Sequence, residues 1–269
     1  MRGTYTGDLV DGVRHGQGVL VFVNGDRYEG SFRDGFRDGV GEFTSERGGC
    51  VYEGNWKQSL RHGMGKERWL KSGDRYEGEY QQDVFHGRGV LVKGNGNTKY
   101  DGEFAHGKKH GYGRMEFQHS WLAIKTVKDA KDVKQVLALG AAAATRGTGG
   151  NNNSNNASNN GTSTSSSSGA TMGLSVYEGS WKDGRMHGEG KYVRADGSFY
   201  QGTWVDGLCH GYGKEVSTQT GEVYEGNWKK GLRHGDGQII RHGKRRKGVW
   251  EMGQRIKWTT AEVSLLPKK

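Results

Sequence analysis

The sequence predicts an all-β chain: one elongated, single-layer antiparallel β-meander of hairpins, with one helical and low-complexity insertion that does not interrupt the sheet. Three observations carry this expectation. Tyrosines recur at Tyr5, Tyr28, Tyr52, Tyr76, Tyr100, Tyr177, Tyr200 and Tyr224, with steps of 23, 24, 24, 24, 77, 23 and 24 residues. Two places after each stands a glycine, and four places after it, in seven copies, an aromatic ring. That alternation has period two and puts all three side chains on one face of a strand. Leu, Ile, Val and Phe make up only about 17% of the 269 residues, yet 8 Trp, 12 Tyr and 8 Phe are spread along the chain. A solvating polymer has too few rings for this, and a globule would gather its core residues differently.

Each repeat is expected to open on a strand such as Tyr52-Glu-Gly54-Asn-Trp56, and the same pattern marks Tyr28 and Gly30, Tyr177 and Trp181, Trp204, and Tyr224 and Trp228. The glycine between two large rings leaves room for a neighbouring ring to lie flat over the backbone. The stretch Gly-x-x-His-Gly-x-Gly is read as the turn, where positive φ is needed. A short strand then returns, as at Val19–Phe22, Val90–Val92 or Tyr192–Val193. Histidine stands ten places after the tyrosine in seven copies (His15, His62, His86, His110, His187, His210 and His234), and Asp38 is the exception. Recurrence in every hairpin is what a turn requirement produces, so each imidazole is expected to bond its own turn and pack on a ring. Sixteen strands at about 4.8 Å would span roughly 75 Å.

The long step hides an insertion of 77 − 24 = 53 residues. Repeats one to five occupy residues 1–119. In 120–144, Ala123, Val127, Ala130, Val133 and Leu137 recur at helical spacing with Lys125, Lys128, Lys131 and Lys134 on the other side, which reads as a basic amphipathic helix. Residues 145–175 are an Asn/Ser/Gly-rich linker without core material. Repeats six to eight fill 176–247, and 248–269 hold an eroded copy, keeping Gly248 and Trp250 without the tyrosine, followed by the tail.

The consensus Tyr-x-Gly-x-Trp-x-x-Gly-x-x-His-Gly-x-Gly, with glycines at eleven and thirteen places in all eight copies, resembles the MORN (membrane occupation and recognition nexus) repeat. The resemblance covers about 190 residues, everything but the insertion and the tail. It implies a hairpin array, and function as in MORN scaffolds of cilia and of cytoskeletal rims, or as in MORN modules thought to bind membrane lipids. It also implies dimerisation through terminal repeats. Here the last regular hairpin is followed only by the eroded copy, so a homodimer through the C-terminal repeats is expected.

Candidate chemistry is sparse. No nucleophile, base and orienter recur together, and the Gly-x-Gly triplets lack the spacing of a phosphate loop and a following helix. The histidines have no acidic or cysteine partner at constant spacing, so no metal, cofactor or catalytic residue is expected. Two cysteines, Cys50 and Cys209, make no disulfide framework. With no apolar run of about 18 residues and no leader, the chain is expected to be cytoplasmic, neither secreted nor transmembrane. A net charge of +10 favours acidic partners, although not specific nucleic acid. One line of candidate anionic contacts precedes the histidines: Arg14, Arg37, Arg61, Lys109 and Arg233, expected to project from the turns. A second candidate is the cluster Arg241, Lys244, Arg245, Arg246 and Lys247. The expected partners are other proteins, cytoskeletal or ciliary, with an anionic membrane surface as the alternative.

Overall fold

A computed structural model describes residues 3–94, 96–118 and 173–265. Repeat one forms β1 (Gly3–Val10) and β2 (Val13–Phe22), repeat two β3 (Arg27–Arg33) and β4 (Phe36–Ser45), repeat three β5 (Cys50–Lys57) and β6 (Leu60–Trp69). Repeat four forms β7 (Arg75–Gln81) and β8 (Val84–Val92), and repeat five β9 (Thr98–Ala105) and β10 (Lys108–Phe117). Then follow β11 (Ser175–Lys182), β12 (Arg185–Val193), β13 (Phe199–Val205), β14 (Leu208–Val216), β15 (Val223–Lys229) and β16 (Leu232–Arg241). The chain closes with β17 (Lys244–Glu251), β18 (Gln254–Trp258) and β19 (Val263–Ser264). All belong to one sheet in which sequential strands pair antiparallel, and no helix occurs among the described residues. The amphipathic helix expected at 120–144 lies outside the described residues, as does the linker of 145–175 apart from its last three residues. Ser175 already belongs to β11.

One row of the sheet is glycine from end to end. Gly7 faces Gly18, Gly18 faces Gly30, Gly30 faces Gly41 and Gly41 faces Gly54. The row passes through Gly113 opposite Gly179, across the insertion, and ends with Gly237 opposite Gly248. Over each hairpin's glycine pair lies the ring of that hairpin's own tyrosine. A Cβ on Gly65 would stand 2.5 Å from Tyr52 Cε2 and 2.6 Å from Cζ. The flat approach read from the sequence is therefore real, but the ring belongs to the same repeat and not to its neighbour. The phenol is held there by its own hydroxyl, as in Tyr52 Oη donating to the Asn55 carbonyl at 2.9 Å.

The fourth-place rings then fill the gaps between tyrosines. Trp56 packs edge-on against Tyr52 at 5.0 Å and against Tyr28 of the preceding repeat at 5.4 Å. Its indole Nε1 donates to the ladder carbonyl of Gly41 at 3.0 Å. Trp181 repeats this with Tyr177 and, across the insertion, with Tyr100, and it donates to Gly113. Trp204 and Trp228 do the same with Tyr200 and Tyr224. Edge-to-face contact matches the positive rim of one ring to the negative face of the next. A single sheet thus obtains a core one ring deep, with Tyr28, Tyr177, Tyr200 and Tyr224 fully buried.

The turns are not where the sequence suggested. The Gly-x-x-His-Gly-x-Gly stretch is mostly strand, and the chain reverses three and four places before its histidine. Asp34 and Gly35, with φ of 51° and 83°, connect β3 to β4 as a two-residue hairpin turn with both residues left-handed. That is the type I′ geometry, whose twist matches the flanking strands. The return strands are consequently longer than expected, ten residues in β2 and β4. An irregularity between Gly30 and Phe32 absorbs two extra residues of β4, with Asp38, Gly39 and Val40 opposite Ser31 alone. Consecutive turns are stitched together: Gly35 N donates to the Arg14 carbonyl at 2.9 Å, and Gly184 N reaches back over the insertion to the Lys109 carbonyl at 2.8 Å.

The eroded ninth copy is a complete hairpin. Its boundary falls at Lys244 rather than 248, because the short turn His242-Gly243 starts β17 there. β18 and β19 lie side by side along the outer edge of β17. Trp250, 3% exposed, is closed over by Trp258 at 6.1 Å. The uncovered apolar end from which C-terminal dimerisation was argued is therefore covered by the chain's own tail.

Candidate functional site

Arg14, Arg37, Arg61, Lys109 and Arg233 lie one place into the return strands, on the ring-bearing face, and not in the turns. They share the strand parity of the ladder glycines, Arg37 with Gly41 and Lys109 with Gly113, and so face inward. Arg37 rests 4.1 Å from the centroid of Trp56, and Arg61 5.1 Å from that of Tyr80. Arg14 faces Tyr5 and Phe32, and Arg233 stands 4.5 Å from Tyr224. Cations held over ring faces gain from the ring quadrupole while their stems cover apolar surface. The expected outward line of cations is corrected: the same seat holds Phe85, Met186 and Cys209 in other repeats, so it is a plug between successive tyrosines.

Two of these arginines also neutralise carboxylates inside the ring layer. Arg61 pairs with Glu67 at 2.7 Å, and Glu67 accepts from Tyr80 Oη at 2.9 Å. Arg233 pairs with Glu215 and Glu222, both at 3.0 Å. Lys109 has no such partner among the described residues. Its Nζ is 3.3 Å from Met115 Sδ and 4.9 Å from the Trp181 centroid, and burial lowers its pKa to about 8.

The C-terminal cluster lies on β17 and the end of β16, away from that line. Lys244 pairs with Glu262 at 2.7 Å, and Arg246 lies over Trp258 while its Nε donates to the Thr260 carbonyl. The Lys247 amide donates to Thr260 Oγ1, and Arg245 is registered with Val263. These residues fasten the tail. Arg241 and the Lys247 side chain remain exposed.

The histidines do not bond their own turns. His86, His187 and His234 have buried Nδ1 atoms with no hydrogen-bond partner among the described residues. His15 Nδ1 is 3.8 Å from Asp34 of the next repeat, and the His62 side chain makes no hydrogen bond to another described residue. The backbone has the clearer role: the carbonyls of His110 and His210 accept from Tyr100 and Tyr200. No group of three or more potential metal ligands occurs among the described residues.

The solvent face carries what sequence reading missed. Val13, Phe36, Leu60 and Val84 occupy the same place in repeats one to four, opposite Val10, Arg33, Lys57 and Gln81. With Val40 and Met64 they form an apolar ribbon beside the turns; Phe36 is 51%, Met64 55% and Val40 63% exposed. In repeats five and six that place is taken by Lys108 and Arg185. The signal was available, one apolar residue right after each turn pair, but it needed the turns to be placed first. Farther from the turns the same face is a charge ladder, with Lys66 to Glu77 at 3.0 Å, Arg114 to Glu178 at 3.3 Å and Lys214 to Glu225 at 2.9 Å.

A sheet of stitched, equivalent hairpins with its rings turned onto one another is an open-ended repeat array. It offers surfaces rather than a cleft. The MORN repeat family model matches residues 5–27, 28–50, 52–71, 76–98, 100–118, 177–199, 200–219 and 224–244, more than half of the chain, and the protein belongs to that family. A comparison with curated proteins found no match. The MORN repeat is a non-catalytic module of protein-interaction or membrane-binding proteins. No helix among the described residues is long and apolar enough to cross a membrane.

Proposed function

We propose that this chain is a non-catalytic scaffold that docks other proteins, with cytoskeletal or ciliary components as the partners suggested by the family resemblance and the cytoplasm as its setting. The apolar ribbon of repeats one to four carries this reading. Contiguous exposed apolar surface rimmed by polar groups marks protein interaction sites. Equivalent residues recur once per hairpin, about 10 Å apart, so the ribbon fits an elongated partner or a helix laid across the strands. Lipid binding is less well supported. Insertion into a bilayer needs free rings and free cations, and here the rings are packed edge to face while most candidate cations lie over them.

The test compares the intact protein with F36E/M64E. Both positions are exposed, so the variant is expected to fold. Proximity labelling in cells should give a set of neighbours lost with F36E/M64E, while co-sedimentation with vesicles containing anionic lipid is equal for both and weak at physiological salt. Unchanged neighbours would refute the ribbon. Strong vesicle binding lost on R241E/K247E would favour an anionic membrane surface instead.

A further inference from the structure

Beside the apolar ribbon stand charges that the fold leaves unpaired. Elsewhere in the solvent-face row that flanks the glycine ladder, charges that meet are opposite in sign: Lys66 and Glu77, Arg114 with both Asp101 and Glu178, Lys214 and Glu225. In repeats two and three the row instead sets Glu29 opposite Glu42 and Glu42 opposite Glu53. Arg27 pairs with Glu29, while Lys66, which faces Glu53, is turned to Glu77 on its other side. Glu42 and Glu53 are exposed and make no hydrogen bond or ion pair with another described residue.

Like charges directly opposite one another destabilise an antiparallel pair. The rows on either side hold Val40 opposite Asn55 and Thr44 opposite Val51, and neither brings a cation. This happens on a chain whose net charge is +10, so the acidic spot runs against the charge of the whole. The repulsion belongs to the free chain and disappears when a cation from outside sits between the two carboxylates. Val40 stands two places before Glu42 on the same face of β4, about 7 Å away, so the acidic row borders the ribbon directly. On the ribbon's turn side, Arg33 lies opposite Phe36 and Lys57 opposite Leu60.

We propose that the solvent face of repeats two and three takes an amphipathic helix of a partner protein, with an apolar seam on Phe36, Val40, Leu60 and Met64 and with lysines or arginines on one flank reaching Glu42 and Glu53. This rests on the ribbon being the docking surface and adds the chemistry of what docks there. Val40 and Met64 lie two strands apart, about 10 Å, which is the rise of about seven helical residues. A helix laid across the strands therefore meets both with one seam. Its cations belong on the flank away from the turns, since Arg33 and Lys57 repel them on the other. An anionic lipid surface fits poorly, because the same carboxylates repel it.

Two labelled synthetic helices are the probes, identical in their leucine seam, one with lysines along one flank and the other with glutamates in those places. Fluorescence anisotropy with the full chain measures binding. The lysine helix should bind, more weakly as salt rises. E42Q/E53Q should weaken it about tenfold. E42K/E53K should reverse the preference, so that the glutamate helix binds better than the lysine helix. E42Q alone should raise the melting temperature while lowering the affinity, a combination that a purely structural carboxylate does not give. F36E/M64E separates the two claims. A lysine helix that loses binding with F36E/M64E but not with E42Q/E53Q, or equal binding of both helices, would overturn the charge assignment and leave the ribbon standing. Lysine-helix binding indifferent to F36E/M64E, or absent altogether, would overturn the proposal; if cellular neighbours are nevertheless lost with F36E/M64E, the ribbon docks a partner of other chemistry.

Discussion

Replacing Gly65 with Ala tests whether the glycine ladder exists to seat the tyrosines. The backbone at Gly65 is ordinary for any residue, so the added methyl brings no dihedral strain. Its nearest obstacle is the Tyr52 phenol, with Cε2 at 2.5 Å and Cζ at 2.6 Å. Tyr52 is 1% exposed and has nowhere to retreat. A shift of the ring loosens two edge-to-face contacts, to Trp56 at 5.0 Å and Tyr80 at 5.1 Å, each worth about 1 kcal/mol. It also stretches the hydroxyl bond to Asn55, worth about another 1 kcal/mol. The expected loss is about 3 kcal/mol, at the upper end of ordinary overpacking. Urea unfolding followed by tryptophan fluorescence measures it. Gly12→Ala is the control: it adds left-handed strain but meets nothing within 4 Å, so it should cost about 1 kcal/mol. In the double variant Y52L/G65A, the alanine should cost much less than it does beside tyrosine. Additive losses, or equal effects of G65A and G12A, would refute the seating argument.

Other outcomes follow from the ring layer. K109M should raise stability by about 1 kcal/mol, because it replaces an unpaired ammonium with the residue that fills the same seat at Met186. In the native chain Lys109 contributes stability that rises with pH between about 8 and 10.5, since the unfolded lysine keeps its proton through that window while the folded one releases it near 8; above about 9 the buried Cys209 thiol opposes it. K109M should abolish that rise, as thermal melts across the range will show. Above pH 10 the tyrosines act in the opposite sense. Burial raises Tyr28 and Tyr224 to about 12, so the unfolded phenols ionise first, and each such group removes about 1.4 kcal/mol per pH unit. Alkaline titration by circular dichroism should find loss of the sheet between 10 and 12. A protease site introduced between residues 119 and 172 should, after cutting, leave two fragments that co-elute on a sizing column, since β10 and β11 pair from Gly111–Trp181 to Phe117–Ser175.

The repeat, its ring face and the continuity of the sheet across the insertion were legible in the sequence because period-two alternation leaves little freedom. Tyr52, Gly54 and Trp56 had to share a face. The turns were harder. Asp34-Gly35 is a strong hairpin signal, but Gln58-Ser59 and Gln82-Asp83 do the same work without glycine, while the histidine stretch is glycine-rich and lies in a strand. Once the turn is misplaced, the first residues of each return strand fall inside it, where facing has no period. Arg37 and Lys109 then count as outward charges and Phe36 and Leu60 carry no signal, whereas in a strand Arg37 shares the parity of Gly41 and faces inward. The covering of Trp250 was hidden for another reason: β18 and β19 carry no repeat signature, and only pairing reveals them.

The place of the insertion follows from the two edges of the sheet. On the turn edge every described connection within a repeat has two residues, both of them left-handed, and each amide stitch spans adjacent turns. A longer segment there would break stitches on both sides. On the other edge the connections already vary, from two residues between β16 and β17 to six between β14 and β15. The strands on either side of the insertion are aligned by their own pairing, so its main cost is loop closure. Against a five-residue connection such as Arg194–Ser198, the 57 residues between β10 and β11 cost about 2 kcal/mol. Replacing 118–174 with that five-residue sequence should therefore raise stability by about 2 kcal/mol in urea unfolding, with the β10–β11 register unchanged. A loss of stability instead would mean that the inserted residues contribute contacts of their own to the sheet.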